Sequence, residues 1–250
     1  MDLSLTVLGC ATPYPSTDNP CSGYLVSHGD TRVWMDAGTG TLGPLQRYTR
    51  LEDLDAIWIS HLHADHSADL LTAYYALLFA DVQRGPVPLY GPPGIADRLA
   101  GFLTNGPVRS PVEDAFEVVE LHHGLEAAIG SMRLTTAAVE HGIPAFGVRI
   151  EAGGASLTYS GDTAPCPSLT ELANGTDVLL CESESAEKTP DMVHHTPEDA
   201  GGTADAAQAR RLVVTHVGRF LTPQEAVTRA SARFSGPAGY AEPGSTVRVG

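Results

Sequence analysis

His61-Leu62-His63-Ala64-Asp65-His66 decides the reading of this chain. The stretch follows directly on Ala56-Ile57-Trp58-Ile59-Ser60, a continuous apolar run of strand length. After it, Asp69 to Ala80 carries Leu70, Leu71, Tyr74, Tyr75, Leu77, Leu78 and Phe79 and reads as a helix more apolar than one buried face requires. Residues two apart in extended chain point the same way, so His61 and His63 can converge on one ion. The turn into the helix then swings Asp65 and His66 towards a second ion beside it. Three imidazoles and a carboxylate so close together suit zinc, iron or manganese, whereas calcium and magnesium want mostly oxygen. A lone HxH pair carries little information. HxHxDH after an apolar strand carries a great deal.

A pair of metals needs further ligands, and three stand just past predicted strands. His141 follows Met132 to Val139, Asp162 follows Ser156 to Ser160, and His216 follows Leu212 to Thr215. A rigid strand end is where a scaffold can aim a polar side chain. Each alone reads as an ordinary solvated residue; with the first motif they complete seven ligands.

The rest of the chain is strand-rich, with further strands expected at Leu3 to Leu8, Gly23 to Ser27, Arg32 to Asp36, Val87 to Tyr90, Phe116 to Leu121, Phe146 to Glu151, Val178 to Cys181 and Thr246 to Val249. Helices are expected at Ile95 to Leu103, near Ser168 to Ala173, from Thr196 to about Arg210, and from Thr222 to Phe234. The last two open on Thr-Pro pairs, and Thr196 with Asp199 has capping-box spacing. Strands in antiparallel-looking runs that later alternate with helices fit an α/β fold of two sheets between helical layers, built as one domain over residues 1–250.

Net charge at pH 7 is −15 over 250 residues, and Lys188 is the only lysine. A face that grips a nucleic-acid backbone needs clustered Lys and Arg, so an extended nucleic acid is disfavoured as partner. Four scattered cysteines without a CxxC pair read as free thiols in a reducing compartment. No apolar run is long enough to span a membrane, and the start reads as a first strand instead of a signal peptide. Cytoplasm is the expected address.

In order and type, these residues resemble the metallo-β-lactamase superfamily, whose pattern is HxHxDH, then His, then Asp, then His. The resemblance covers nearly the whole chain and implies the four-layer αββα sandwich, with the site at one edge of two mixed sheets. Within the superfamily the chain looks most like the ribonuclease Z branch of phosphodiesterases, through Tyr90-Gly91-Pro92-Pro93-Gly94, His141 to Arg149, Ser160-Gly161-Asp162-Thr163 and Thr215-His216. Leu8-Gly9-Cys10, Gly23-Tyr24-Leu25, Leu45-Gln46-Arg47 and Phe234-Ser235-Gly236-Pro237 are similar to actinobacterial atypical class II-like cyclic-nucleotide phosphodiesterases.

By position, the resemblance implies that His61, His63 and His141 hold one divalent ion and Asp65, His66 and His216 the other, with Asp162 bridging. Zinc is the first expectation, with manganese or iron(II) as alternatives. Two ions about 3.5–4 Å apart share a water and lower its pKa towards neutrality, giving a bridging hydroxide that attacks phosphorus. Asp65 is the expected orienter of that hydroxide. His194 matches the extra histidine that this branch places near the scissile phosphate; its neighbour His195 stays open as the alternative. The resemblance further implies support near the site from Asp36 and a homodimer packed through the helix after HxHxDH. Glu182 is a second candidate support. His28 and His122-His123 read as turn residues.

The favoured substrate is a small phosphodiester such as a cyclic nucleotide. A tRNA 3′-processing endonuclease is the first rival, but residues 163–193, all that separates Asp162 from His194, leave no room for the long arm that bacterial ribonuclease Z extends to tRNA. A lactone or ester hydrolase on the same centre is the second rival. A metal-binding sensor or pseudoenzyme is the third, and the complete ligand set argues against it. Substrate choice is expected to lie in the loops Pro13 to Cys21, Arg84 to Pro86, Asn105 to Pro111 and Ala186 to Val193.

Overall fold

The computed structural model describes residues 2–79 and 84–250. Strands β1 (Leu3–Gly9), β2 (Gly23–His28), β3 (Thr31–Ala37), β4 (Ala56–Trp58), β5 (Val87–Gly91) and β6 (Phe116–Glu120) form the first sheet. A second sheet takes β7 (Glu126–Ile129), β8 (Met132–Val139), β9 (Ala145–Ala152), β10 (Ala155–Tyr159), β11 (Val178–Ser183), β12 (Leu212–Val217) and β13 (Ala238–Tyr240) in sequence order. The chain then returns, and β14 (Thr246–Val249) pairs antiparallel with β1 at the edge of the first sheet. Helices are α1 (Leu42–Leu45), α2 (Ala64–Ser67), α3 (Leu70–Leu78), α4 (Ile95–Leu103), α5 (Pro167–Leu172), α6 (Pro197–Ala206) and α7 (Pro223–Ser231).

Side-chain alternation explains why these strands stack as they do. Val7, Tyr24, Val26, Val33, Met35 and Trp58 point inwards and meet Leu134, Val148, Ile150, Leu157, Tyr159, Leu180 and Val213 of the other sheet. Their neighbours Leu8, Leu25, Trp34, Ile57 and Ile59 point outwards and bury against α1, α3 and α4. Across the molecule, Leu179, Cys181, Leu212 and Val214 face alanines of α6 and α7. Three stacked apolar layers between two sheets and two helical shells make the αββα sandwich. Both sheets mix parallel and antiparallel pairs, as expected.

Local departures from the sequence reading have physical reasons. The helix expected over Asp69 to Ala80 is α3, Leu70–Leu78, and a separate short helix, α2, precedes it at Ala64–Ser67; Ala80 itself lies outside the described residues. Strand β7 went unread because Glu126-Ala127-Ala128-Ile129 lacks β-branched alternation and buries only Ile129 fully. Strand β13 is a three-residue segment with a central glycine. Helix α6 stops at Ala206, short of Arg210, because Gln208 turns left-handed with φ 52°. The Gln208 and Ala209 amides then donate to Asp205 and Ala204, a Schellman closure without the customary glycine. Helix α7 likewise ends at Ser231, before Phe234. The α6 capping box is present as read: Thr196 Oγ1 accepts from the Asp199 amide at 3.1 Å, and Pro197 takes the first turn.

Strand direction places the site. Strands β3 and β4 are parallel; so are β10, β11 and β12, and β8 runs with them across antiparallel β9. His61, His141, Asp162, Glu182 and His216 all sit at or just past carboxyl ends of these strands, so every one is delivered to the same edge of the sandwich. Among the described residues no helix is long and apolar enough to cross a membrane.

Candidate metal centre

All seven sequence-predicted ligands meet at that edge. Their donor atoms fall into interlocking groups, His61–His63–His141, His61–His66–Asp162 and Asp65–His66–His216, each with donors within 4.8 Å of one another. Asp162 Oδ2 is central, 3.2 Å from both His66 Nε2 and His216 Nε2 and 3.7 Å from His61 Nε2. Asp65 Oδ2 lies 3.8 Å from the same two nitrogens of His66 and His216. Six of the seven are buried, and His63 alone is exposed. Two glycines make the approach possible. Gly161 holds φ 59° just before Asp162, and a Cβ there would lie 2.6 Å from the Phe146 carbonyl. At Gly38 a Cβ would lie 2.0 Å from the Asp65 carbonyl, so only glycine lets this segment support α2 so closely.

Hydrogen bonds behind the ring set which nitrogen faces inwards. Ser60 Oγ gives its one proton to Asp36 Oδ2 at 2.8 Å, so it accepts from His61 Nδ1 at 3.0 Å. His66 Nδ1 donates to Asp36 Oδ2 at 2.7 Å and His141 Nδ1 to the Val193 carbonyl at 3.1 Å. Ser22 Oγ meets His216 Nδ1 at 2.8 Å. With Nδ1 protonated, the Nε2 atoms of His61 and His141 are bare acceptors, and each lies 3.1 Å from His63 Nδ1. Three imidazole nitrogens therefore face one another with at most one proton among them, an arrangement that suits a shared cation. Two further orphans agree: His66 Nε2 and Asp162 Oδ1 are buried without a hydrogen-bond partner among the described residues.

Electrostatics point the same way. Burial, reinforced by neighbouring imidazoles, holds His61 well below the usual histidine range, and burial likewise lowers His63 and His141. The shift favours the neutral form of these three, the state a metal ligand needs, whereas at His66 burial is outweighed by Asp162 and Asp36, which raise it well above the histidine range. Burial by itself would raise Asp162, but His216 and His66 beside it keep the carboxyl well below its ordinary range. His216 also carries φ 49°, a left-handed conformation that costs a β-branched or bulky residue energy and clusters at functional sites.

The adjacent histidines left open by the sequence take separate places. His195 is fully buried, with Nδ1 donating to the Thr163 carbonyl at 2.6 Å and Nε2 beside Thr203 Oγ1 at 3.0 Å. His194 turns to the metal edge: its ring centroid lies 4.8 Å from that of His141 and its Nδ1 lies 4.0 Å from Asp162 Oδ2. Glu182 Oε1 holds His194 Nδ1 at 2.9 Å and also accepts from the Thr163 amide. Burial disfavours charge on His194, yet the Glu182 bond and charge outweigh it and push its pKa up to about 9. His28, His122 and His123 lie away from this cluster on turns and strand ends.

Asp36 does more than the supporting role read for it. Besides Ser60 and His66 it accepts from the Tyr159 hydroxyl at 2.8 Å, linking the two sheets beneath the site. Ser22, Ser60, Tyr159 and the Val193 carbonyl went unread. Ser60 carried a usable signal, being the one polar residue between an apolar strand and the first ligand. Ser22 and Val193 carried none, since they are placed by long-range pairing alone.

The comparisons with known proteins agree with this geometry. Residues 31–217 match the beta-lactamase superfamily domain. Over 245 residues the chain is 34% identical to Uncharacterized protein Rv1339 of Mycobacterium tuberculosis, covering 95% of this chain and 89% of that protein. It is 30% identical over 269 residues to Ribonuclease Z of Mycobacterium bovis, covering 94% of each. The metallo-beta-lactamase fold protein YhfI of Bacillus subtilis superposes with a TM-score of 0.88 at 24% identity, covering 99% of this chain and all of that one. With the HxHxDH, His, Asp, His order closed into a single cluster, the chain belongs to the beta-lactamase superfamily, as a ribonuclease Z-like protein of the metallo-beta-lactamase fold, a family of divalent-metal hydrolases.

Proposed function

We propose that this protein is a dinuclear metal-dependent phosphodiesterase that cleaves small phosphodiesters, cyclic nucleotides among them. His61, His63 and His141 would hold one divalent cation and Asp65, His66 and His216 the other, with Asp162 available to either. Imidazole and carboxylate donors of this kind favour zinc, with manganese or iron(II) able to substitute. Bound cations supply charge neutralisation for phosphoryl oxygens and an acidified water as nucleophile. Asp65 would hold a cation and position the nucleophile with its carboxylate. His194, held by Glu182, faces the same space and delivers a proton to the departing alkoxide.

The observation that carries the phosphodiester reading is His194 itself, a fourth-group donor set against Asp162 and His141 that none of the seven ligand positions requires. A lactone or ester also expels an alkoxide, but only a phosphodiester adds a standing negative charge on its non-bridging oxygens for a cationic donor to meet. The acidic balance and the short 163–193 segment favour a small substrate over tRNA. The test is turnover of metal-reconstituted protein on bis-p-nitrophenyl phosphate, cyclic nucleotides, a lactone and a precursor tRNA. Diester cleavage that disappears with chelator and returns with zinc or manganese is expected. Two bound metals with lactone turnover and no diester cleavage would overturn the reading.

A cytoplasmic homodimer completes the proposal. The four cysteines are buried free thiols, at home in a reducing compartment. On α3, Tyr75 is 46% exposed; Phe79, just past that helix, is 78% exposed, and the two rings stack at 6.2 Å, an apolar surface that a second copy would bury. Light scattering should give twice the 26.3 kDa chain mass, and a monomer ends the dimer suggestion.

A further inference from the structure

Two loops that the metal cluster does not use rise beside His216. The first leaves β1 and returns where Ala11 bridges Cys21, one residue before Ser22, whose hydroxyl holds His216 Nδ1. Tyr14 stands on it with 55% of its surface exposed. The second follows β12. Gly218 packs so tightly on Glu184 that a Cβ would lie 1.9 Å from its carbonyl, and the Leu221 amide closes a turn on the Gly218 carbonyl. That turn pushes Arg219 and Phe220 outwards, and Phe220, at 83%, is the most exposed large apolar side chain among the described residues.

The two loops meet at a cation. Arg219 Cζ lies 5.6 Å from the Tyr14 ring centroid and 5.5 Å from that of Phe220. Arg219 has no ion-pair partner among the described residues, although acids outnumber bases 30 to 15 in this chain. Arg219 is three residues from His216, so their Cα atoms are at most about 10–11 Å apart. A nucleoside esterified to a phosphate is long enough to reach across a backbone separation of that size.

We propose that Tyr14, Arg219 and Phe220 form a base-binding platform that selects diesters carrying a nucleoside. This rests on the phosphodiesterase reading above and names the substrate class within it. Exposed aromatic rings offer a flat apolar face that a nucleobase covers irrespective of its sequence, and a guanidinium plane stacks on bases as well. The rings hold the guanidinium in place, while its charge draws anionic nucleotides towards a chain that otherwise repels them. A lone exposed phenylalanine calls for no explanation. An arginine held between two exposed rings, three residues along the chain from His216, does.

The test compares two chromogenic esters with the same leaving group, p-nitrophenyl thymidine 5′-phosphate and methyl p-nitrophenyl phosphate. In a Tyr14→Ala/Phe220→Ala double variant, the ratio of kcat/KM for the thymidine ester over the methyl ester should fall on the order of ten-fold, mostly through KM. Arg219→Ala should lower the same ratio, and Tyr14→Phe should restore it to the wild-type value. An unchanged ratio overturns the platform even where both rates drop together, because a merely structural defect moves both esters alike. Calorimetric titration of thymidine 5′-monophosphate into metal-loaded protein separates this from the function itself. If neither ester is cleaved, the phosphodiesterase reading fails, and the platform then stands or falls on whether the double variant binds that nucleotide more weakly than wild type.

Discussion

Asp162→Ala is expected to retain at most one metal equivalent and to lose diester hydrolysis by on the order of 10³-fold. The reason is position. Asp162 Oδ2 is the one donor within 4 Å of nitrogens from His61, His66, His194 and His216 together, so its loss strips both halves of the centre at once. It is also the charge that offsets this crowd of imidazoles, being held ionised by His216 and His66. Without it, two cations would be pressed together among neutral rings with only Asp65 to screen them. Asp162→Asn separates the contributions, because it keeps the shape and removes the charge; it should behave nearly as badly as alanine. His63→Ala is the contrast. His63 is exposed and serves the His61–His63–His141 group alone, so that variant should keep the second metal and lose less activity. Metal content per chain and kcat on bis-p-nitrophenyl phosphate decide the matter. Two metals bound to Asp162→Ala at wild-type affinity would contradict the assignment.

What the sequence disclosed, and what it withheld, divides by the range of the interaction. HxHxDH is local, and a strand entering it is visible as an apolar run, so the first four ligands could be read without a partner. His141, Asp162 and His216 were legible because each ends a recognisable strand, and parallel strands bring their ends together. The runs Leu3 to Leu8, Gly23 to Ser27 and Arg32 to Asp36 were legible as strands from their composition, and in the fold they are buried on both faces, as a four-layer sandwich requires. The supports under the ligands are different in kind. Ser22 reaches His216 across 194 positions of chain and Tyr159 reaches Asp36 across 123, and no local pattern marks either serine or tyrosine. His194 was favoured over His195 by resemblance alone, because adjacent residues in extended chain point to opposite sides and which side is the site depends on Glu182, Thr163 and Thr203. The end of α6 was misplaced for a similar reason: Gln208 adopts a conformation that composition assigns to glycine.

His194→Ala is expected to keep both metals yet lose about 10²–10⁴ in kcat, with the size of the loss set by the leaving group. The three groups formed by the seven candidate ligands do not include it, and its Nδ1 is engaged by Glu182 at 2.9 Å, so the proton it has to give is on Nε2, which lies 3.9 Å from Glu184 Oε2. A group placed in this way acts on the departing oxygen and has little to do with holding the cations. An alkoxide, as in a cyclic nucleotide, leaves badly without a proton and should show the full loss. A p-nitrophenolate leaves readily without one, so bis-p-nitrophenyl phosphate should be affected far less. Glu182→Gln tests the same argument from behind. It removes the charge that favours imidazolium while retaining an oxygen for the Nδ1 proton, and it should reproduce the leaving-group dependence at smaller amplitude. It should also cost some stability, since Glu182 is fully buried and accepts from the Thr163 and Glu184 amides as well. The two effects are separable, because destabilisation lowers the amount of folded enzyme for both substrates equally, whereas loss of the proton donor changes their ratio. Equal losses on the two substrates, or departure of a metal from His194→Ala, would place His194 among the ligands and remove it from the chemistry of the leaving group.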